Sequence, residues 1–204
     1  MLHSSTRAAR RRLVLATGNP GKLEEFRALL RHLPFDIVAQ TDCGIPPVDE
    51  TGSSFAANAL LKARHAATAT GAAAIGDDSG LEVDALGGAP GIFSARYAGR
   101  GAADAANNAK LRSALAGVPM ERRQARYRCA LVFVAGPDDR APLCAESVWE
   151  GLIMDSPRGG FGFGYDAYFW VPERSATAAE LEPAEKNLLS HRGTAMRLLA
   201  AQLK

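Results

Sequence analysis

Cysteine is scarce in this chain of 204 residues, which contains only Cys43, Cys129 and Cys144. Three cysteines cannot form a complete set of disulfides, and their wide spacing matches no metal-binding motif. They are typical of ordinary packing in a reducing compartment, where thiols stay unpaired. The cysteine content therefore predicts a cytoplasmic protein without a disulfide framework.

Long apolar runs are also missing, since no stretch approaches the length of a membrane span. The apolar run at residues 13–16 is too short for the core of a secretory signal. The formal net charge of +2 is too close to neutral to indicate stable binding to nucleic acid. These absences predict neither a membrane nor a nucleic acid as a partner.

What remains is the composition of a soluble globular protein, with 47% hydrophobic and 23% charged residues. Residues 1–12 are rich in arginine and are predicted to form a disordered basic tail. Residues 13–204 have the length of one large domain, and we predict a single two-lobed domain there.

Lysine is the scarcer cation, because 19 of the 24 basic residues are arginine and only 5 are lysine. Lys22, Lys62 and Lys186 lie in segments that carry other chemical signals. A compact ammonium and a planar guanidinium suit different ligands, so this placement indicates a chemical need. With so few lysines, chance is an alternative explanation.

Residues 13–33 follow a strand–turn–helix pattern. The apolar run at residues 13–16 predicts a buried strand, and apolar residues at helical spacing begin at Leu23. A helix N-terminus after a glycine-containing turn points backbone N–H groups at an anion, and Lys22 would add a charge there. The spacing is not that of a Walker loop, and a plain connecting turn with an exposed lysine is equally consistent.

Two adjacent carboxylates, Asp77 and Asp78, follow another apolar run at residues 72–75. That run predicts a buried strand, after which Ser79 and Gly80 are expected to turn the chain. Carboxylates at a strand end can bind Mg²⁺ and activate water. The alternative is an Asx-type turn, in which aspartate makes only local hydrogen bonds.

A helix between these two segments is predicted to begin at Ser53 or Ser54, either of which can cap it, and to end near residue 70. The turn-rich segment before it carries Glu50. Asn58 and Lys62 are four residues apart and therefore share one face of the helix. The lysine either extends outward into solvent or meets an anion.

The second half of the chain predicts strands at residues 124–135, 143–152 and 167–171, and a helix at residues 104–115 capped by Asp104. Before the last of these strands, glycine alternates with aromatic residues in the run Phe161-Gly162-Phe163-Gly164-Tyr165-Asp166. Such a run can approach a planar base and stack on it, or its rings can simply fill the core.

Helix-start signals lie near the end of the chain, with a capping box at residues 177–180, a proline at 183 and a capping serine at 190. His191 and Arg192 fall in the first turn of the last predicted helix, where a cation opposes the helix dipole. Their placement predicts an anionic or carbonyl-bearing partner, unless that helix end is simply solvated.

Taken in order along residues 13–200, these segments resemble the inosine triphosphate pyrophosphatase family, which removes non-standard purine nucleotides. The resemblance rests on the turn at residues 17–22, Glu50-Thr51-Gly52, Asn58 with Lys62, Asp77-Asp78-Ser79-Gly80-Leu81, Gly87-Gly88-Ala89-Pro90-Gly91, Ser94-Ala95-Arg96-Tyr97, Phe163-Gly164-Tyr165-Asp166, and Lys186 with Ser190-His191-Arg192. Each segment alone is a weak signal, but the ordered set is specific. Ala167 replaces a common proline and Phe161 a usual glycine, and neither change removes a chemical group.

The resemblance implies an α/β fold, with an elongated, mixed and strongly twisted sheet flanked by helices and two lobes around a central nucleotide cleft. It also implies a homodimeric enzyme that hydrolyses purine nucleoside triphosphates such as ITP, dITP and XTP. The products would be the monophosphate and pyrophosphate, with Mg²⁺ as the cofactor. Such an enzyme would remove non-standard nucleotides from the nucleotide pool.

The resemblance also implies roles for individual residues. Asp78 would be the general base, and Asp78 and Glu50 would bind Mg²⁺. Asp77 and Lys62 would complete the catalytic group. The implied substrate-binding residues are Thr17, Gly18, Asn19, Pro20, Gly21, Lys22, Ser79, Phe163, Gly164, Tyr165, Asp166, Lys186, His191 and Arg192.

Hydrogen-bond polarity suggests how such a site would select its base. Hypoxanthine and xanthine carry an acceptor at position 6 and a donor at N1, whereas adenine reverses both. Donors from Arg192 or Lys186 and an acceptor from Asp166 would therefore reject adenine, because reversed pairs leave buried polar groups unsatisfied. Two alternatives remain open: a septum-associated pyrophosphatase acting on pyrimidine or modified nucleotides, and a nucleotide- or RNA-binding module.

Overall fold

The computed structural model describes residues 11–31 and 33–203. Its strands are β1 (Arg11–Ala16), β2 (Phe35–Ala39), β3 (Ala73–Val83), β4 (Gln124–Val134), β5 (Leu143–Ile153), β6 (Phe169–Val171) and β7 (Ala176–Thr177). Its α-helices are α1 (Pro20–Leu30), α2 (Phe55–Thr70), α3 (Asp104–Ala114), α4 (Pro183–Leu189) and α5 (His191–Gln202). None of the helices in these ranges is both long enough and apolar enough to span a membrane.

The strands form one sheet in the order β2–β1–β3–β4–β5–β6–β7. β1 pairs in parallel with β2 and with β3, and α1 and α2 provide the crossovers that parallel pairing requires. The pairs from β3 through β7 are antiparallel. The sheet is therefore mixed, which confirms the predicted α/β class.

Helices cover both faces of the sheet, because successive strand residues point to opposite sides. On one face the alanine-rich helix α2 packs on Val14 and Ala74. On the other face α1 and α5 pack on Leu13 and Ile75. A further cluster joins α3 to the ends of β3, β4 and β5. The long strands β3, β4 and β5 therefore pass from the region covered by α1, α2 and α5 into the region that packs against α3.

The predicted turn after Asp78 is wrong, because β3 continues without a break from Ala73 to Val83. Residues 74–83 pair with β4 along their whole length. β1 pairs with β3 only as far as Gly76, so the two carboxylates lie just beyond the end of β1. Adjacent strand residues face opposite sides, which directs Asp77 toward α1 and α5 and Asp78 toward α2.

The glycines of β3 serve close packing rather than chain reversal. A Cβ at Gly76 would lie 2.0 Å from the carbonyl oxygen of Ala59 in α2. A Cβ at Gly80 would lie 2.5 Å from the carbonyl oxygen of Gly91. Only glycine permits such an approach between backbones. The close contact between α2 and β3 brings polar side chains of the helix within hydrogen-bonding distance of the strand.

Most of the predicted elements are confirmed. The strands expected at residues 13–16, 35–39, 124–135, 143–152 and 167–171 correspond to β1, β2, β4, β5 and β6. Ser54 and Ser190 cap α2 and α5 through backbone N–H groups, as predicted. Helix α1 begins at Pro20, earlier than the apolar spacing indicated, because Asn19 caps it.

Two predicted helix caps are wrong. Ala103 occupies the N-cap position of α3, and Asp104 instead accepts a hydrogen bond from the backbone N–H of Gly164 at 2.7 Å. Thr177 lies in β7, where its N–H donates to Glu180 at 2.8 Å in the manner of a capping box. The backbone that follows bonds back toward β6, so no helix forms until α4.

The predicted basic tail is wrong at its last two positions. Arg11 and Arg12 begin β1 and pair in register with Phe35 and Asp36 of β2. Their side chains are exposed, so backbone pairing rather than burial places them in the sheet. The rest of the predicted tail, residues 1–10, lies outside the described residues, as do His32 and Lys204.

Candidate active site

Thr17 and Asn19 shape the turn between β1 and α1. The Thr17 hydroxyl accepts a hydrogen bond from the backbone N–H of Asn19 at 3.2 Å. The side-chain oxygen of Asn19 accepts one from the backbone N–H of Lys22 at 3.0 Å. Pro20 occupies the first helical position, where no N–H is needed. The predicted strand–turn–helix arrangement is confirmed, and it brings the helix N-terminus to the site.

Asp77 links this turn to the last helix. One of its carboxylate oxygens accepts bonds from Lys22 Nζ and, at 3.0 Å, from the Ser79 hydroxyl. The other accepts from Arg192 Nε at 2.8 Å. Burial alone would raise the pKa of Asp77, but Arg192 and Lys22 outweigh it and hold that pKa well below its usual range. Asp77 therefore stays ionised and is a poor proton acceptor.

Asp78 points to the opposite face of β3 and meets side chains of α2. Lys62 Nζ donates to one oxygen of Asp78 at 2.8 Å, and Asn58 Nδ2 donates to the other at 3.1 Å. Burial raises the pKa of Asp78, although Lys62 and Lys22 oppose this. The predicted shared face of Asn58 and Lys62 is confirmed, and the lysine meets carboxylates rather than solvent.

Glu50 is the second carboxylate held by Lys62, whose Nζ donates to it at 2.7 Å. Arg96 pairs with the other oxygen of Glu50. Burial would raise the pKa of Glu50, but Lys62 and Arg96 outweigh it and lower that pKa. Glu50, Lys62 and Asp78 thus form one partly buried charged group on the α2 side of β3.

Glu50 and Asp78 are the carboxylates that the resemblance assigns to Mg²⁺. Within residues 11–31 and 33–203, no group of three or more histidine, cysteine or acidic side chains could hold a metal ion. Mg²⁺ commonly binds through one or two carboxylates, with phosphate oxygens and waters completing its coordination. This pair therefore fits a metal ion that arrives with a phosphorylated ligand, and does not fit one held by protein groups alone.

Backbone conformation explains why glycine alternates with aromatic residues at 161–166. Gly162 and Gly164 have φ angles of +76° and +62°, which side-chain-bearing residues rarely adopt. A Cβ at Gly162 would also lie 2.2 Å from a carboxylate oxygen of Asp166. The segment curls back on itself, so that the backbone N–H of Phe163 donates to that carboxylate at 2.9 Å.

The two aromatic residues that flank Gly164 have different roles. Phe163 is half-buried, and its ring lies against Gly21, where a Cβ would approach the ring to 2.3 Å. Tyr165 belongs to the hydrophobic core, and its hydroxyl donates to the carbonyl oxygen of Ser94 at 2.8 Å. Phe161 is exposed, so its departure from the family pattern leaves the core unchanged. Core filling therefore applies to Tyr165, and stacking of a base on Phe163 stays a prediction.

Lys186 and Arg192 are joined through Glu25 of α1. Lys186 Nζ donates to Glu25 at 2.9 Å and to Asp166 at 2.7 Å, and Arg192 binds the other oxygen of Glu25. Burial would raise the pKa of Glu25, but Arg192 and Lys186 outweigh it and lower that pKa. The anionic partner predicted for the first turn of the last helix is therefore present for Arg192, and this chain itself provides it.

His191 is buried beside Arg192, and its ring lies nearly parallel to that of Tyr127 with centroids 4.6 Å apart. Burial, reinforced by Arg192 and Lys186, holds the pKa of His191 well below its usual value. Its Nδ1 is buried and has no partner among the described residues. The imidazole is therefore neutral, with one ring nitrogen as a donor and the other as an acceptor.

One pocket brings together most of the predicted substrate-binding residues. Those that line it are Asn19, Lys22, Ser79, Phe163, Gly164, Tyr165, Asp166, Lys186, His191 and Arg192. Gly21 lines a neighbouring groove instead. The predicted residues that do not line the pocket are Thr17, Gly18 and Pro20 in the turn, and Glu50, Lys62, Asp77 and Asp78 in the charged groups described above.

The sequence assigns no role to Glu25, Tyr127 or Arg96, yet all three contact predicted site residues. Glu25 lies one helical turn after the lysine of the β1–α1 turn, and that spacing could have identified it. Tyr127 lies in the strand predicted at residues 124–135, which assigned it no chemistry, but its hydroxyl donates to Asp166 at 3.0 Å. The pairing of Arg96 with Glu50 joins segments far apart in the chain, and no local pattern indicates it.

The pocket is lined by Asn19 and Lys22 at the helix N-terminus, which suit an anionic group, and by aromatic side chains such as Phe163, which suit a planar group. The fold and the site therefore define an α/β protein of the nucleotide-binding class. The chain belongs to the Ham1 family, whose model matches residues 13–202. This membership confirms the resemblance found in the sequence.

Relatives of known name and structure cover nearly the whole chain. A dITP/XTP pyrophosphatase of Xanthomonas campestris pv. campestris is 55% identical over 94% of this chain and 96% of its own. One from Vibrio cholerae serotype O1 is 52% identical, covering 93% and 94%. A HAM1 protein structure from Coxiella burnetii superposes with a TM-score of 0.86 at 47% identity, covering 95% of this chain and 98% of that one.

Proposed function

We propose that this protein hydrolyses non-standard purine nucleoside triphosphates, namely ITP, dITP and XTP, to the monophosphate and pyrophosphate. Two relatives that are more than half identical over nearly the whole chain are named dITP/XTP pyrophosphatase. The observation that carries the proposal is a single pocket whose lining brings Lys22 together with Asp166, Lys186 and Arg192. Such a pocket suits a triphosphate joined to a purine.

The phosphate end of the pocket relies on an exchange of partners at Lys22. This lysine is bound to Asp77, which Arg192 and Ser79 also contact. A triphosphate with about four negative charges would compete for the lysine, and its cleavage depends on positioning and charge neutralisation. After that exchange Asp77 would still accept hydrogen bonds from Arg192 and Ser79. The lysine is therefore available to the substrate without leaving a buried carboxylate unpaired.

Asp78 is the residue we assign to water activation. It is a buried carboxylate whose two oxygens are held by Lys62 and Asn58, so its orientation is set before the substrate arrives. Glu50 and Asp78 would bind Mg²⁺ together with the phosphates, and the metal would supply charge neutralisation there. Lys62 holds both carboxylates in place from the α2 side.

The base end of the pocket offers hydrogen-bonding groups of the polarity that a 6-oxopurine requires. Lys186 and Arg192 can donate toward position 6, and Asp166 can accept from N1. Adenine would present the reverse pattern and leave these buried groups unsatisfied, at about 1–3 kcal/mol for each group. This polarity selects hypoxanthine and xanthine over adenine.

A substrate panel tests the proposed reaction. The purified full-length chain is incubated with Mg²⁺ and with ITP, XTP, dITP, ATP, UTP or TTP, and pyrophosphate and orthophosphate are measured separately. We expect pyrophosphate from ITP, XTP and dITP, little from ATP, and none when EDTA removes the metal. Preference for UTP or TTP would instead indicate a pyrimidine-directed enzyme. Binding of nucleotide without release of pyrophosphate would indicate a binding module.

Replacing Lys22 with alanine is expected to raise the KM for ITP while leaving kcat largely unchanged. The expected rise is about tenfold to a hundredfold, as for the loss of a charge-assisted hydrogen bond. Steady-state kinetics of pyrophosphate release would measure it. Lys110→Ala is the control, because Lys110 is an exposed lysine of α3 outside the pocket. An unchanged KM for the Lys22 variant would remove this residue from phosphate binding.

We also propose, from the family, that the protein is a cytoplasmic homodimer and that residues 13–204 form one two-lobed catalytic domain. Its three cysteines and net charge of +2 are in keeping with a reducing compartment and with the absence of a stable nucleic-acid partner. Size-exclusion chromatography with light scattering would measure the oligomeric state. A monomer at micromolar concentration would contradict the dimer.

A further inference from the structure

Tyr127 is a buried residue of β4 whose side chain lines the nucleotide pocket. Its hydroxyl donates to Oδ1 of Asp166 at 3.0 Å. Its ring lies nearly parallel to the imidazole of His191, with centroids 4.6 Å apart. Tyr127 thus touches two of the residues proposed to face the base, and the family resemblance assigns it no role.

The hydrogen bonds of Asp166 are divided unequally between its two oxygens. Oδ2 accepts from Lys186 Nζ at 2.7 Å and from the backbone N–H of Phe163 at 2.9 Å. Oδ1 accepts only from the Tyr127 hydroxyl among the described residues. A carboxylate oxygen accepts about two hydrogen bonds, so Oδ2 is full and Oδ1 keeps one position free. A donor on a bound base would therefore be received at Oδ1.

From this we propose that Tyr127 is a positioning residue that sets base specificity by fixing Asp166 Oδ1 as the acceptor for the purine N1–H. The inference rests on the proposed function and extends it. The hydroxyl holds the carboxylate from the β4 side, while Lys186 and the Phe163 N–H hold it from the other side. The free acceptor position of Oδ1 then has one orientation, which only a base with a donor at N1 can use.

The bond to Asp166 also restricts the Tyr127 hydroxyl itself. A free phenol hydroxyl can donate or accept, and it could therefore satisfy the N1 acceptor of adenine as readily as the N1–H of hypoxanthine. While it donates to Asp166, it has no proton left for adenine. The same contact thus favours the 6-oxopurine and withholds a partner from adenine, which is a negative contribution to specificity.

Tyr127→Phe is the test, because it removes the hydroxyl and keeps the ring that packs against His191. Dissociation constants for ITP and ATP are measured by calorimetry in EDTA, so that binding is separated from turnover. We expect ITP binding to weaken about tenfold and ATP binding to stay within about twofold, so that the ITP/ATP preference shrinks about tenfold. In steady-state assays with Mg²⁺, KM for ITP should rise while kcat changes little.

Tyr168→Phe is the matched control, since Tyr168 belongs to the same hydrophobic cluster but, within the described residues, its hydroxyl makes no hydrogen bond to Asp166. It should leave the ITP/ATP preference unchanged. An unchanged preference in Tyr127→Phe, or an equal loss for both nucleotides, would overturn the inference. Thermal unfolding of both variants shows whether the fold is retained.

The measurements separate this inference from the proposed function. A wild-type protein that prefers ITP in binding but releases no pyrophosphate would overturn the proposed reaction alone. A wild-type protein that releases pyrophosphate from ITP, with a preference insensitive to Tyr127→Phe, would overturn this inference alone. A wild-type protein that binds ITP and ATP equally would overturn both.

Discussion

Replacing Asp78 with asparagine is expected to lower pyrophosphate release from ITP by roughly 10²–10⁴-fold, the usual contribution of a general base. The variant loses the carboxylate that would accept the proton of the attacking water. It also loses one of the two carboxylates that would bind Mg²⁺. Neither change affects the base end of the pocket, so ITP binding measured in EDTA should be largely retained.

The Asp78→Asn variant should fold, at a modest loss of stability. Asn58 cannot easily reverse its amide toward the new asparagine, because its oxygen already accepts from the backbone N–H of Gly52 at 2.8 Å. One mismatched buried hydrogen bond costs about 1–3 kcal/mol in free energy of unfolding. Asp84→Asn is the matched control, since Asp84 is exposed and its ion-pair partner in the described part of the chain is Arg126. Near-normal turnover by Asp78→Asn would remove this residue from the catalytic role.

Replacing Arg192 with methionine is expected to reduce the free energy of unfolding by about 3–5 kcal/mol, as for the loss of one partner from a buried ion pair. Arg192 is 2% exposed and contacts both Asp77 and Glu25. Methionine has a similar length but cannot neutralise either carboxylate. Urea unfolding followed by circular dichroism would measure the change, and the base preference should be lost as well.

Arg174→Met provides the comparison for the Arg192 variant. Arg174 pairs with Glu185 at 2.9 Å, and the two side chains are 45% and 42% exposed. Exposed pairs of this kind contribute about 0–1 kcal/mol, so this variant should unfold close to the wild type. A similarly small effect for Arg192→Met would mean that Lys22 and Lys186 alone compensate the two buried carboxylates.

Local sequence patterns predict best those structural features that depend only on residues close together in the chain. The β1–α1 turn follows from an apolar run, a glycine and asparagine turn and a capping side chain, all within residues 13–23. The caps at Ser54 and Ser190 are similarly local. These features were predictable because each is decided within one or two helical turns.

The acidic couplet shows where local reasoning fails. Glycine and serine beside two aspartates are typical of a turn, yet the pairing of β3 with β4 holds the segment extended. The glycine at 76 is explained by the close approach of Ala59 in α2, a separate element that no local pattern places against the strand.

Contacts between distant segments decided the site itself. The extended strand sends Asp77 and Asp78 to opposite faces of the sheet, so the two carboxylates acquire different partners and opposite pKa shifts. Glu25 joins Lys186 to Arg192 across the space between α1 and the last two helices. Such pairings depend on where the elements pack, and a single sequence records only the residue types.

The sequence by itself determined the order of most elements, the β1–α1 turn, the helix caps at Ser54 and Ser190, and the set of residue types that a purine triphosphate would need. Those properties follow from backbone preference and from hydrophobic periodicity, which act over short stretches of chain. Only the tertiary structure decided which carboxylate meets which cation, and that the Tyr127 hydroxyl donates to Asp166. Burial and distance set those interactions, and both arise only when separate elements pack together.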